Sequence, residues 1–159
     1  MEIDRFNIRV YGFLIENDRV LVTDEFRLGI FMTKFPGGGL KFGEGTIDCL
    51  KREFREELNT GIEVISHFYT TDFFQPTTLL PSTMQLINIY YFVKAEKPFT
   101  FATVTRKRDL PAVDGTQCFR WMQISTLKEE DFTFPIDKMI VGKLRKFFNN
   151  DLDFHQDSA

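Results

Sequence analysis

The chain of 159 residues is poor in several things, and each shortage removes a class of protein. It has two cysteines, Cys49 and Cys118, far apart and in no CxxC pair, so neither a zinc site nor a disulfide framework is expected. Its two histidines, His67 and His155, have no partner pattern, and no Ser-His-Asp or Cys-His arrangement can be built around them. Positive charge is in deficit: 20 Lys and Arg stand against 23 Asp and Glu, a net charge of −3. No large nucleic-acid surface is expected from that balance, and a polyanionic ligand would need a local site or bridging cations. No apolar run approaches the ~18 residues of a membrane span. The opening MEIDRFNIRV carries acids and an arginine where a signal peptide has an apolar core, so the default expectation is cytoplasmic. There is no internal repeat, low-complexity tract or linker. One domain over residues 1–150 is expected, with a frayed tail at 151–159.

What the chain does have is 43% hydrophobic and 27% charged residues, the balance of a globular protein. Nineteen phenylalanines predict an aromatic core, with a few left to stack on a ligand. Residues 6–16 read as a strand, Asn17-Asp18 as a turn and 19–23 as the returning strand. Residues 24–29 are polar and read as a loop. Short strands follow at 30–35 and 40–42, longer ones at 62–74 and 84–94, and further ones at 99–105 and 117–124. Polar loops run over 75–83 and 106–115. Helices are predicted over 46–58, with Thr46 as N-cap, and over 135–148, with Pro135 near the start and Asp137 in the first turn. Two helices among many strands make the fold class α+β, a sandwich around a mixed β-sheet.

The chemistry concentrates in Lys34–Ile62, KFPGGGLKFGEGTIDCLKREFREELNTGI. Ile47, Leu50, Phe54 and Leu58 recur at spacings of three and four and form an apolar stripe. Glu53, Glu56 and Glu57 fall within a neighbouring arc, where like charges repel. Two readings are open. The acids are a solvated face balanced by Lys51, Arg52 and Arg55, or they are oxygen ligands for Mg²⁺ or Mn²⁺. The glycines upstream, which let backbone approach a ligand closely, and the extra acid Glu44 shift the balance to the second.

Gly38, five residues, Glu44, seven residues, then Arg52-Glu53-Phe54-Arg55-Glu56-Glu57 resembles the Nudix box of the Nudix hydrolases, with Phe35-Pro36-Gly37-Gly38 as its usual lead-in. The pattern departs at its end. Leu58-Asn59-Thr60 stands where the family has one residue, glycine and an aliphatic, and a Gly61-Ile62 pair comes two residues later. Asn tolerates the left-handed conformation, so a helix stop at Asn59 is expected. Trp121-Met122, Leu127, Asp131-Phe132, Pro135 and the helix ending near Leu144 resemble the carboxy-terminal part of MutT-type members.

The resemblance implies a Nudix α/β/α sandwich and metal-dependent hydrolysis of a pyrophosphate linkage in a nucleoside diphosphate derivative, with water attacking phosphorus. By the same carry-over Glu53, Glu56, Glu57 and the Gly38 carbonyl hold Mg²⁺ or Mn²⁺, and Glu44 and Arg52 orient the box. Glu53 is alternatively the base, as are Asp109 or Asp114 from the late loop. Arg9, Arg27 and Arg106 (with Lys107 and Arg108) are candidate phosphate grips. Asp137 is a candidate reader of guanine, and Pro76 lies near a proline position of ADP-ribose-specific members. A solvated basic turn and a dipole-favoured acid are the plain alternatives for Arg106 and Asp137. The expected partner is a small nucleotide derivative, with the chain a monomer or homodimer. A Nudix-fold module that binds a nucleotide sugar without cleaving it is the competing function.

Overall fold

The structure, a computed structural model, describes residues 2–79 and 83–156. Among these the chain forms seven strands and two α-helices, the α+β composition expected. Its residues cluster into two compact units: Met1–Ile15 with Phe35–Ala102, and Glu16–Lys34 with Thr103–Ala159.

The first unit holds β1 (Arg5–Glu16, whose last residue clusters with the second unit), β4 (Gly37–Gly39), α1 (Thr46–Leu58), β5 (Ile62–Thr70) and β6 (Met84–Ala95). Strand β1 pairs parallel with β6 and antiparallel with β4, while β5 pairs antiparallel with β6, so this sheet is mixed. Val10 to Leu14 are buried in succession, the mark of a strand covered on both faces. Phe13 is the centre of the aromatic core, with ring centroids 4.8 Å from Phe35, 5.4 Å from Phe68 and 5.7 Å from Tyr90. Helix α1 seats Leu50, Phe54 and Leu58 in the core, each burial contributing about 2 kcal/mol. Gly12 makes room for it, since a Cβ there would stand 3.0 Å from the Phe54 ring.

Several expectations in this unit are corrected. Ile47 is 43% exposed, and the fourth buried residue of α1 is Cys49. The N-cap is Gly45, not Thr46; Asp48 accepts a hydrogen bond from the Gly45 N–H at 3.3 Å, and the Thr46 hydroxyl bonds Tyr91 Oη at 2.7 Å. The short strand is Gly37–Gly39 rather than 40–42, because glycines slide against buried β1 whereas Leu40–Phe42 enters a turn. Strand β5 stops at Thr70, and no strand forms at 99–105. Pro76 makes an isolated bridge to Gln85, and residues 80–82 of the expected 75–83 loop lie outside the described residues.

The second unit holds β2 (Arg19–Arg27), β3 (Ile30–Lys34), β7 (Thr116–Gln123), two 3₁₀ turns (Ile124–Thr126 and Glu129–Asp131) and α2 (Pro135–Gln156). Strand β2 pairs antiparallel with β3 and with β7. Asn17 and Asp18 adopt φ of 51° and 60°, left-handed values suited to the two-residue turn the sequence predicts. The polar 24–29 segment is no loop up to Arg27. It continues β2, and Asp24 and Glu25 are buried in it. Partners on neighbouring strands make that tolerable: Asp24 takes Arg120 Nε at 2.6 Å and the Thr33 hydroxyl at 2.6 Å, and Glu25 pairs with Lys34 at 2.8 Å. Helix α2 runs past the expected end at Phe148 to Gln156, and residues 157–159 of the expected tail lie outside the described residues. The segment 149–156 contains neither glycine nor proline, and Asn or Asp lowers helix propensity by only about 0.7 kcal/mol per residue.

Candidate active site

Strand β4 and helix α1 build the site, and the turn between them sets its geometry. Lys41 N–H donates to Glu44 Oε1 at 2.9 Å and closes the turn. Glu44 then meets Arg52, one and a half turns into α1, through Nε to Oε2 at 2.9 Å and Nη2 to Oε1 at 2.7 Å, a two-pronged pair. The same guanidinium donates from Nη1 to Glu53 at 2.9 Å and to Glu56 at 3.2 Å, and from Nη2 to the Gly39 carbonyl at 3.1 Å. Four positions of the motif, Glu44, Arg52, Glu53 and Glu56, are therefore gathered with the Gly39 carbonyl at one guanidinium. Glu57 lies on the same helix, half-buried.

The electrostatics follow from that fork. The Arg52 guanidinium, with help from the Lys41 N–H, holds the Glu44 carboxyl down at about 2. The acids in turn push the Arg52 pKa up. Cys49 lies buried beneath, its Sγ 3.5 Å from the Gly39 carbonyl, and burial followed by the Glu44 charge pushes its thiol up to about 12. It is a packing residue with no nucleophilic character at neutral pH.

Gly38 is required by close approach. A Cβ there would stand 2.5 Å from Glu53 Oε1, so the Glu53 carboxylate rests in the space that any other residue would fill. The Cys49 thiol lies 3.9 Å from the Gly38 carbonyl. The donors on this edge are hard oxygens, the set that Mg²⁺ or Mn²⁺ prefers. Among the described residues no three His, Cys, Asp or Glu side chains form a ready-made metal cluster. The fit to a cation lies in the donor chemistry and the Gly38 cradle, with Glu53 and Glu56 drawn to one nitrogen of Arg52.

The other expected residues fall in separate places. Arg9 is in the first unit, opposite Gly39 in the β1–β4 register, with Nε donating to Tyr11 Oη at 2.6 Å. Arg27 ends β2 and pairs with Glu25 at 3.2 Å. Arg106 pairs with Asp109 at 2.8 Å, and Asp114 accepts the Leu28 N–H at 2.8 Å, so both loop acids have local partners. Asp137 is 2% exposed in the first turn of α2. Two contributors went unread in the sequence, Gly39 and Cys49. Gly39 acts through its carbonyl, which carries no sequence signal. For Cys49 the signal was present, since an unpaired cysteine is among the most buried residue types.

The NUDIX domain family model matches residues 5–141. In structure the chain is similar to a NUDIX hydrolase from Nitrosomonas europaea (18% identity, TM-score 0.62, 87% of each chain covered). It is similar to a MutT NUDIX hydrolase from Burkholderia pseudomallei (14% identity, TM-score 0.61, covering 87% of this chain and 97% of that one). It is also similar to an ADP-ribose pyrophosphatase from Streptococcus suis (13% identity, TM-score 0.57, covering 87% and 86%). No curated protein matches the chain. The structural likenesses show the fold, the α/β/α sandwich around a mixed sheet. The chain belongs to the NUDIX hydrolase family, and it is an enzyme of that class.

Proposed function

We propose that the chain hydrolyses a pyrophosphate linkage in a nucleoside diphosphate derivative, acting as one domain over residues 1–150 with Mg²⁺, or Mn²⁺ in its place. The chain passes between its two units three times, which supports treating them as one folding domain. The observation that carries the reading is the Arg52 fork, which joins Glu44, Glu53, Glu56 and the Gly39 carbonyl. On this reading Glu53, Glu56, Glu57 and the Gly38 carbonyl hold the cation. A bound divalent cation would neutralise phosphate oxygens. Glu44 and Arg52 are positioning residues. They keep the acids at a fixed edge of α1 and oppose the mutual repulsion of Glu53 and Glu56. Water adds to phosphorus, the anhydride P–O bond breaks, and the departing phosphate keeps the bonding pair. The proton released by the water passes to a carboxylate of this edge.

Similarity in fold to an ADP-ribose pyrophosphatase and a UDP-X diphosphatase supports the substrate class. The test is turnover of nucleoside triphosphates, ADP-ribose and nucleotide sugars with Mg²⁺ present, chelated, or replaced by Mn²⁺. Turnover that needs the cation and is lost in Glu57→Gln, with an unchanged circular dichroism spectrum, is the expected result. Full activity of Glu57→Gln removes the assignment.

A further inference from the structure

The place where the sequence departs from the Nudix pattern opens onto a cavity. Helix α1 ends at Leu58 with Asn59 as its cap, and Thr60-Gly61 follows as two residues of irregular chain before β5. Beside them lies a cavity of about 600 Å³, shared with the segment after β6, a volume within the range of small-molecule sites. None of the residues joined by Arg52 lines it. Its chemistry comes from Arg55, Thr60, Gly61, Glu96, Lys97 and Phe101.

These groups sort into three functions. Arg55 and Lys97 are cations, and neither is taken up by the ion pairs among the described residues. Glu96 is folded back onto Gly61: a Cβ on that glycine would meet its Oε2 at 2.5 Å, and Arg55 Nη2 lies 3.8 Å from the same point. The acid and the guanidinium thus converge on one backbone position without closing on each other. Phe101 adds a ring that is 38% exposed. Two cations suit a phosphate, a carboxylate suits paired ribose hydroxyls, and an exposed ring suits the face of a base.

We propose that this cavity is a second binding site, separate from the Gly38–Glu57 site, for a nucleoside monophosphate. The phosphate lies on Arg55 and Lys97, the ribose on Glu96 and the base on Phe101. From the proposed function the site takes only its ligand class, since hydrolysis of a nucleoside diphosphate derivative releases such a molecule. Arg55 sits between Phe54 and Glu56 on α1, so occupancy is felt by the helix that carries the acids.

The test is an amide NMR titration of the full chain with AMP, GMP and UMP, with inorganic phosphate and adenosine as separate arms. At least one monophosphate is expected to give saturable shifts at Thr60, Gly61 and 96–101. Those shifts persist in Glu56→Gln, and either part of the ligand alone binds at least roughly tenfold more weakly. Lys97→Ala and Phe101→Ala, both at the surface, each raise Kd by roughly tenfold. Shifts confined to 37–57, or none at Thr60 and Gly61 with millimolar monophosphate, overturn the proposal. So does a Kd indifferent to both substitutions. Because the readout is binding, a chain that hydrolyses nothing can still pass, and an active one can still fail.

Discussion

At the scale of single residues the account turns on Arg52. Its planar fork satisfies Glu44 with two nitrogens and still reaches Glu53, Glu56 and Gly39. Lysine has the charge without the fork. Arg52→Lys is therefore expected to lower kcat by roughly 10–100-fold, the usual cost of losing a group that orients ligands, while the fold survives. Steady-state kinetics beside a melting curve checks this. Glu44 offers a test by pH. Its folded pKa of about 2 lies below the ordinary glutamate value of 4.5. The ionised form is favoured by folding, so its contribution is fully present above about 4.5 and is lost as pH falls through about 2. Carbon-detected NMR of the Glu44 carboxyl should give a midpoint near 2 in the native protein and a normal one in Arg52→Ala. A normal midpoint in both would remove the fork from the account.

At the scale of elements, α1 is defined by how it stops as much as by what it carries. Asn59 sits at φ 47° and ψ 38°, and Thr60 N–H returns to the Phe54 carbonyl at 3.3 Å. A side chain without asparagine's local hydrogen bonding pays about 1–2 kcal/mol for that conformation. Asn59→Ala should lower stability in urea by about 1 kcal/mol, and Asn59→Gly should stay within about 0.5 kcal/mol of the parent. This element was legible because its signals were local: the 3.6 period of Leu50, Phe54 and Leu58, and an asparagine, a residue type that tolerates the left-handed stop. The charges of β2 were not. Asp24 and Glu25 look like loop residues until β3 and β7 bring Thr33, Lys34 and Arg120 to them from 9 to 96 positions away. The glycine strand was misplaced by three residues for a related reason, since glycine has no side chain to mark a face and the pairing with Arg9–Tyr11 is long-range.

At the scale of the whole molecule, the motif specifies chemistry and the remaining chain supplies its support. Among the described residues no helix is long and apolar enough to cross a membrane. The buried Asp24–Arg120 pair is the most demanding charge arrangement in its unit, with Arg120 6% exposed and Asp24 0%. Burial raises the Asp24 pKa, but hydrogen bonds from Arg120, Thr33 and the Arg108 N–H outweigh it and leave the group lowered. Asp24→Ala strands a guanidinium in the interior and should cost about 3–5 kcal/mol, read by chemical denaturation. A loss under 1 kcal/mol would show that water reaches Arg120. The central claim is that water attacks phosphorus at a site organised by the Nudix acids. Hydrolysis in H₂¹⁸O with mass spectrometry of the products tests it most directly, using nucleoside triphosphates, ADP-ribose, nucleotide sugars, dinucleoside polyphosphates and capped RNA with Mg²⁺. The account predicts that at least one substrate yields a phosphate product carrying a single ¹⁸O, and that Glu56→Gln abolishes it. No turnover of any substrate, or turnover that places ¹⁸O on carbon rather than phosphorus, would contradict it.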